Sequence, residues 1–416
     1  MSRPQAGWRY GLLGLPLAFL ALPLYVQLPN LYARDFGVPL ASLGLLLLGA
    51  RLADAFLDPW IGGAIDRLFR RSNGAVLRLG AVAAAVVSAG FAVLFAPPGD
   101  ISHDALLVRA ALALVITYLA YSALSVAHQA WGAMLGGTDA EQARIVGWRE
   151  GFALVGVLAA SVLPSVAGRA FTSLTLVALL AAGCAAWTRA PRPSPGPAAG
   201  APSDLQLPLR DPRFRSLLAV FALNGIATAI PATLILFFVQ DRLQLDASFE
   251  PFFLGSYFLC AALAIPLWLR AVRRAGLTRA WLAAMALSVA VFVWASMLSS
   301  GHAIPFIAIC ALSGAALGAD LALPGAMLAR VIDQGGQRGH AEGLYFGWWN
   351  FMSKLNLALA AGLALPLLAL AGYRPGSRDA QALAALSLAY CLLPCALKCA
   401  AAWLLHSRFI RKDGLA

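Results

Sequence analysis

Long apolar runs separated by short polar segments recur along the whole chain. Runs of bilayer-crossing length fall at 11–32, 40–64, 77–97, 105–135, 147–167, 169–188, 213–240, 250–270, 279–299, 302–331, 341–370 and 380–407. They predict an all-α membrane protein of twelve transmembrane helices. Several runs exceed the ~30 Å hydrocarbon core and must tilt or protrude. The longest connector, 189–212, contains PRPSPGPAAGAP. Proline removes backbone donors and blocks helix, so this segment reads as an exposed linker. It divides the chain into an N-terminal six-helix bundle, 1–188, and a C-terminal one, 213–416. A weak internal repeat supports the division. With Pro59 of LGLLLLGARLADAFLDPWIGG set on Pro266 of LGSYFLCAALAIPLWLR, Asp54 meets Ala261 and Asp58 meets Ile265. The proline belongs to both halves and the acids to one.

Composition agrees with the pattern. Only 12% of the 416 residues are charged and 61% are hydrophobic, where a soluble chain carries about 25% charged residues. The net charge of +12 is explained by loop arginines rather than by nucleic acid. With the N-terminus inside, 22 of the 31 Lys and Arg residues fall in inner segments and 5 in outer ones. Arg51, Arg109, Lys354 and Lys398 lie within spans. That asymmetry predicts both termini in the cytoplasm. The opening MSRPQAGWRY precedes an apolar run too long for a secretory signal, and it is read as the approach to the first membrane helix. The six cysteines all lie in apolar runs, which argues against a disulfide framework. Cys391, Cys395 and Cys399 share one helix face. They read as small packing residues before they read as a soft metal site.

The second span carries the chemistry. Arg51, Asp54 and Asp58 are spaced i, i+3 and i+7, on one face of a helix. An ionisable residue at mid-bilayer costs about 2.5–3.5 kcal/mol on the insertion scale, so such residues face a cavity and carry function. Two carboxylates one turn apart in a low dielectric share a proton or take a cation. Arg51 offsets part of their charge. The competing reading is a buried ion-pair cluster that only holds helices together. Asp66 and Arg67, followed by Arg70 and Arg71, stand at the cytoplasmic mouth. They fit an inter-helix latch, and they fit ordinary positive-inside charge equally well.

Elsewhere, Lys354 in EGLYFGWWNFMSKLNLALA calls for a carboxylate partner, and the acids of span 2 are the natural ones. Lys398 lies nearer the inner surface and reads as a snorkelling side chain. Asp320 is a further intramembrane acid whose helix-mates point to no partner. Trp131, flanked by His128 and Gln129, and Arg149 in GWREGF are residue types that build a solute pocket. Tyr345, Trp348 and Trp349 add aromatics on span 11. For each aromatic alone, packing or interfacial anchoring is the simpler role.

Arg51-x-x-Asp54-x-x-x-Asp58-Pro59-x-x-Gly62-x-x-x-Asp66-Arg67 resembles the helix 2 signature of the glycoside–pentoside–hexuronide:cation symporters, the melibiose permease group of the major facilitator superfamily. Ala341-Glu342-Gly343-Leu344 through Phe351 and Lys354 to Gly372-Tyr373 is similar to that group's helix 11 pattern, and Arg149 matches an arginine of its helix 5. The resemblance implies two six-helix bundles, alternating access and cation-coupled symport. It implies that Asp54 and Asp58 bind the coupling cation with Lys354 adjoining, and that Trp131 and Arg149 line the solute site.

The departures narrow that expectation. The group's sugar-binding aspartates of helices 1 and 4 fall here at Phe19 and Ala127, so the acceptors for sugar hydroxyls are missing. An asparagine and a threonine of its sodium-using members fall at Leu57 and Leu124. Na⁺ needs several oxygens and a proton needs one carboxylate, so H⁺ is favoured over Na⁺. The alternative is a transporter or flippase of lysophospholipid or another amphipathic lipid, because the same branch includes lysophospholipid symporters. No nucleophile–base set, metal-ligand cluster or phosphate-binding loop is present in the sequence, so neither an enzyme nor a nucleotide-driven pump is expected, and no cofactor. The expected partners are a small solute, the coupling cation and the lipid bilayer of a bacterial inner membrane, with no nucleic acid, around a monomer.

Overall fold

The computed structural model describes residues 7–98, 102–194, 204–374 and 376–411. Among the described residues, 86% are helical and none lies in a strand. Nine helices among those residues are long and apolar enough to cross a membrane. The Leu40–Arg71 helix, 32 residues long, covers the predicted second span. Residues 195–203 of the Pro-rich linker lie outside the described residues.

The first predicted span is not one continuous helix. It comprises Gly7–Gly11, Gly14–Leu22, a π-turn Pro23–Gln27 and Leu28–Asp35. Pro16, Pro23 and Pro29 each lack the N–H that a straight α-helix requires, and the chain changes its hydrogen-bond register around them. The fifth span starts at Asp139, eight residues before the expected 147. It is separated from the sixth only by Gly168, at φ 78° and ψ 171°, a backbone conformation that favours glycine. Pro59 and Pro266 both sit inside continuous helices, Leu40–Arg71 and Glu250–Ala275, as the repeat predicts.

The chain divides into two compact units. One contains 1–137, 144–208 and 332–351; the other contains 138–143, 209–331 and 352–416. Residues 138–143 of the second unit lie at the start of the fifth span, and residues 332–351 of the first unit lie around the start of the eleventh.

In the first unit, glycines let backbones touch. A methyl group on Gly14 would run into the carbonyl of Arg149, and one on Gly156 into that of Leu15. Small residues at such contacts are how membrane helices gain van der Waals packing without a hydrophobic driving force. The second unit is centred on aromatic rings. Phe238 stacks on Tyr390 at 4.1 Å, and Phe253 meets Phe306 edge-on at 4.8 Å. At one end of this unit the buried Asp241 accepts hydrogen bonds from Tyr373 Oη at 2.5 Å and from Gly376 N at 3.0 Å. Burial, reinforced by that carboxylate, holds the Tyr373 phenol above its ordinary pKa.

Candidate functional site

The Leu40–Arg71 helix is built inside out. Leu45, Leu48, Leu52, Phe56 and Trp60 form an exposed stripe at i+3 and i+4 spacing. The opposite face buries Asp54 at 4% exposure, Asp58 at 0% and Asp66 at 3%. An apolar outside with polar groups inside is the arrangement a bilayer demands, because acids on the lipid side could not be satisfied. Arg51 is half-buried on the same helix.

Ser122 of the His103–Met134 helix donates to Asp54 Oδ1 at 2.6 Å. That bond was not foreseen from the sequence, where Ser122 sits in an unremarkable YSALS run. Pairing of spans 2 and 4 was the missing information. At the aligned position of the other half, Ala261, no acid stands. There a methyl group on Gly318 would meet the Ala261 carbonyl. One repeat thus places a hydrogen-bonded carboxylate where the other places bare backbone packing.

Further along the same helix, Asp66 accepts from the backbone N–H of Gly343 at 2.6 Å and of Leu344 at 2.8 Å. These are two of the orphan donors at the start of the Glu342–Leu370 helix, and a carboxylate there also meets the positive end of the helix dipole. Gly62 and Gly343 make the approach possible, since a methyl on either would strike the other's carbonyl oxygen. One on Gly347 would strike the Asp58 carbonyl. Arg67 is exposed beside this contact. Glu342 is 1% exposed and closes the same turn by accepting from Gly339 N at 2.6 Å.

The residues expected around the solute all lie in the first unit. His128 is buried, with Nε2 2.8 Å from the Tyr10 carbonyl and its ring stacked on Tyr10 at 4.2 Å. Trp131 is fully buried. Its indole N–H donates to the Pro191 carbonyl at 2.9 Å, and its ring meets Trp187 at 5.3 Å. Phe19 and Tyr345 are at 0% and 1% exposure. Trp348 keeps some surface and donates to the Leu205 carbonyl at 2.8 Å. Arg149 lies three turns into its helix rather than at its start, paired with Glu150 at 2.6 Å. Gln129 donates to Asn350 at 3.3 Å, a polar contact that the sequence did not reveal.

Lys354 is half-buried in the second unit, outside the unit that holds Asp54 and Asp58. Lys398 corrects an expectation. It does not snorkel. It is 7% exposed and donates to Asp320 Oδ2 at 2.6 Å and to Asn224 Oδ1 at 2.9 Å. Trp281 donates to the other Asp320 oxygen at 2.8 Å. Asp320 thus has the partner its own helix could not suggest, because that partner lies 78 residues away on the last span.

A family model for MFS/sugar transport proteins matches residues 9–410. The chain belongs to that family. The family contains the melibiose-permease-like glycoside–pentoside–hexuronide symporters, so the resemblance carried by spans 2 and 11 holds. The protein is a multi-pass membrane transporter of the major facilitator fold, acting on small solutes, and not an enzyme. Among curated proteins, no sequence matches this transporter. Solved structures do. A bacterial homologue of the iron transporter ferroportin in an outward-facing state matches at 17% identity and TM-score 0.73, covering 98% of this chain and 99% of that one. The E. coli fucose:proton symporter matches at 14% identity and TM-score 0.66, covering 95% and 97%. The human organic anion transporter TETRAN matches at 17% and 0.66, covering 96% and 100%.

Proposed function

We propose that this transporter is a cation-coupled secondary symporter of a small organic solute, with H⁺ as the coupling ion in preference to Na⁺. The observation that carries this reading is the buried pair Asp54 and Asp58, with Asp54 held by Ser122. A carboxylate that binds one proton becomes neutral, and it needs no further oxygen ligand. Leu57 and the fully buried Leu124 stand where sodium-using relatives carry polar side chains. Charge neutralisation would favour one of two conformations, which is the energetic content of coupling in alternating access.

In this scheme Arg51 and Lys354 tune the carboxylates, and Asp66 and Arg67 form the cytoplasmic gate. Arg149, Trp348, Tyr345, Trp131, His128 and Phe19 shape the solute side. Arg149 and Trp348 are the two that keep surface, so they make first contact with solute. We further propose twelve spans with both termini cytoplasmic, a monomer in a bacterial inner membrane, and no cofactor beyond the coupling ion. A second reading, transport of a lysophospholipid or another amphipathic lipid, is supported by Phe19 and Ala127. These are buried apolar residues at the positions of the family's sugar-binding acids.

The test is uptake into proteoliposomes under imposed H⁺ or Na⁺ gradients, with sugars, organic acids and lysolipids as solutes. Asp54→Asn and Asp58→Asn are expected to abolish gradient-driven accumulation while expression stays intact. Normal accumulation by both variants would refute the coupling role.

A further inference from the structure

A cavity of about 770 Å³ lies on the outside of the first unit, between the Asn73–Phe95 and His103–Met134 helices. Val108, Leu112 and Ile116 line it as an exposed stripe at i, i+4 and i+8, with 60%, 61% and 53% of their surface open. Val93 faces them from the other helix. The groove closes where Gly90 abuts Thr117, since a methyl at Gly90 would run into Thr117 Oγ1. At its other end stand Asp104, in the first turn of its helix, and Arg109. Arg109 lines the groove, and its Nη2 reaches the Val93 carbonyl at 3.4 Å. Asp104 is exposed and makes no ion pair among the described residues.

A membrane helix meets acyl chains along any exposed apolar stripe. This groove differs in the order of its chemistry. Reading inward from the helix start come a carboxylate, then a guanidinium, then an apolar channel. A zwitterionic phospholipid reads ammonium, phosphate, acyl chain in the same direction. Asp104 to Ile116 spans about 18 Å at 1.5 Å per residue, comparable to the roughly 15 Å hydrocarbon depth of one leaflet.

We propose that this groove is a binding site for a bilayer phospholipid of the phosphatidylethanolamine class. The phosphate rests on Arg109 and the primary ammonium on Asp104, with one acyl chain along Val108, Leu112 and Ile116. The site discriminates by headgroup. A phosphatidylglycerol has no cation for Asp104. The quaternary ammonium of a phosphatidylcholine has no N–H to donate. The proposal stands apart from the symport reading, since none of these residues belongs to the coupling site.

The experiment is native mass spectrometry of the full-length protein in detergent, titrated with chain-matched phosphatidylethanolamine, phosphatidylcholine and phosphatidylglycerol. The expected result is a phosphatidylethanolamine adduct preferred about fivefold over the other two. Arg109→Gln lowers that adduct about fivefold, the scale of one surface arginine against a headgroup. Asp104→Asn brings the three lipids to parity while keeping total lipid bound. Melting curves in detergent establish that each variant is folded, and Asp104→Asn decides the matter should Arg109→Gln fail to fold. Equal binding of the three lipids to the unmodified protein overturns the proposal. So does a preference for phosphatidylglycerol, or one for phosphatidylethanolamine that survives both substitutions.

Discussion

Ser122 holds one oxygen of a carboxylate that has almost no contact with solvent. Removing a donor from a buried acceptor costs about 1–3 kcal/mol, because the acceptor keeps its desolvation and loses its partner. Ser122→Ala is therefore expected to reduce gradient-driven uptake several-fold, and Ser122→Thr, which keeps the hydroxyl, to retain it. Identical uptake rates in proteoliposomes for the two variants would show the bond to be irrelevant to transport. Lys398 and Asp320 call for a different test. A buried ion pair loses about 3–5 kcal/mol when one partner is deleted, yet tolerates joint replacement by apolar residues. Lys398→Met or Asp320→Leu alone is expected to lower the melting temperature sharply, and the double variant to regain most of it. Additive losses in the melting curves would mean that the two residues act independently.

At the scale of the element, the Leu40–Arg71 helix does two jobs with one face. Its middle presents Asp54 and Asp58, and its last turns present Gly62 and Asp66 to the start of the Glu342–Leu370 helix. The glycines set the distance and the carboxylate caps the neighbouring helix. Gly343→Ala forces backbone apart at a contact with no room, and overpacking of this kind costs about 1–3 kcal/mol. Asp66→Ala leaves two helix-start donors unmet, a loss of the order of a missing cap, about 0.5–2 kcal/mol. Both variants are expected to melt earlier than the unmodified protein in a thermal denaturation assay. An unchanged melting point for Gly343→Ala would mean that the two helices are not packed this closely. The broken first span shows a limit of hydropathy. Apolarity marked its extent, but the prolines decided its hydrogen-bond register.

For the whole molecule, the decisive measurement is transport. Coupled uptake needs a solute and an ion to bias the same conformational equilibrium, so either should stabilise the protein by mass action. A solute that is carried is expected to raise the melting temperature, and to raise it further at the pH or Na⁺ concentration that loads Asp54 and Asp58. A solute that raises it equally in all conditions would be bound without being coupled to the ion.

Hydropathy by itself determined that the chain is a polytopic helical membrane protein, because the bilayer imposes a run length that no soluble core requires. The charge pattern of span 2 singled out Asp54, Asp58 and Asp66, since acids stand out sharply against leucine and alanine. Which groups those acids meet was decided only in three dimensions. Ser122 lies 68 residues from Asp54, and Gly343 lies 277 from Asp66. The same holds for Lys398, whose surroundings on its own helix suggested a route to water. The carboxylate that keeps it buried is supplied by another helix. Periodicity within one segment reports which face is polar. Only the packing of segments distant in sequence reports what that face touches.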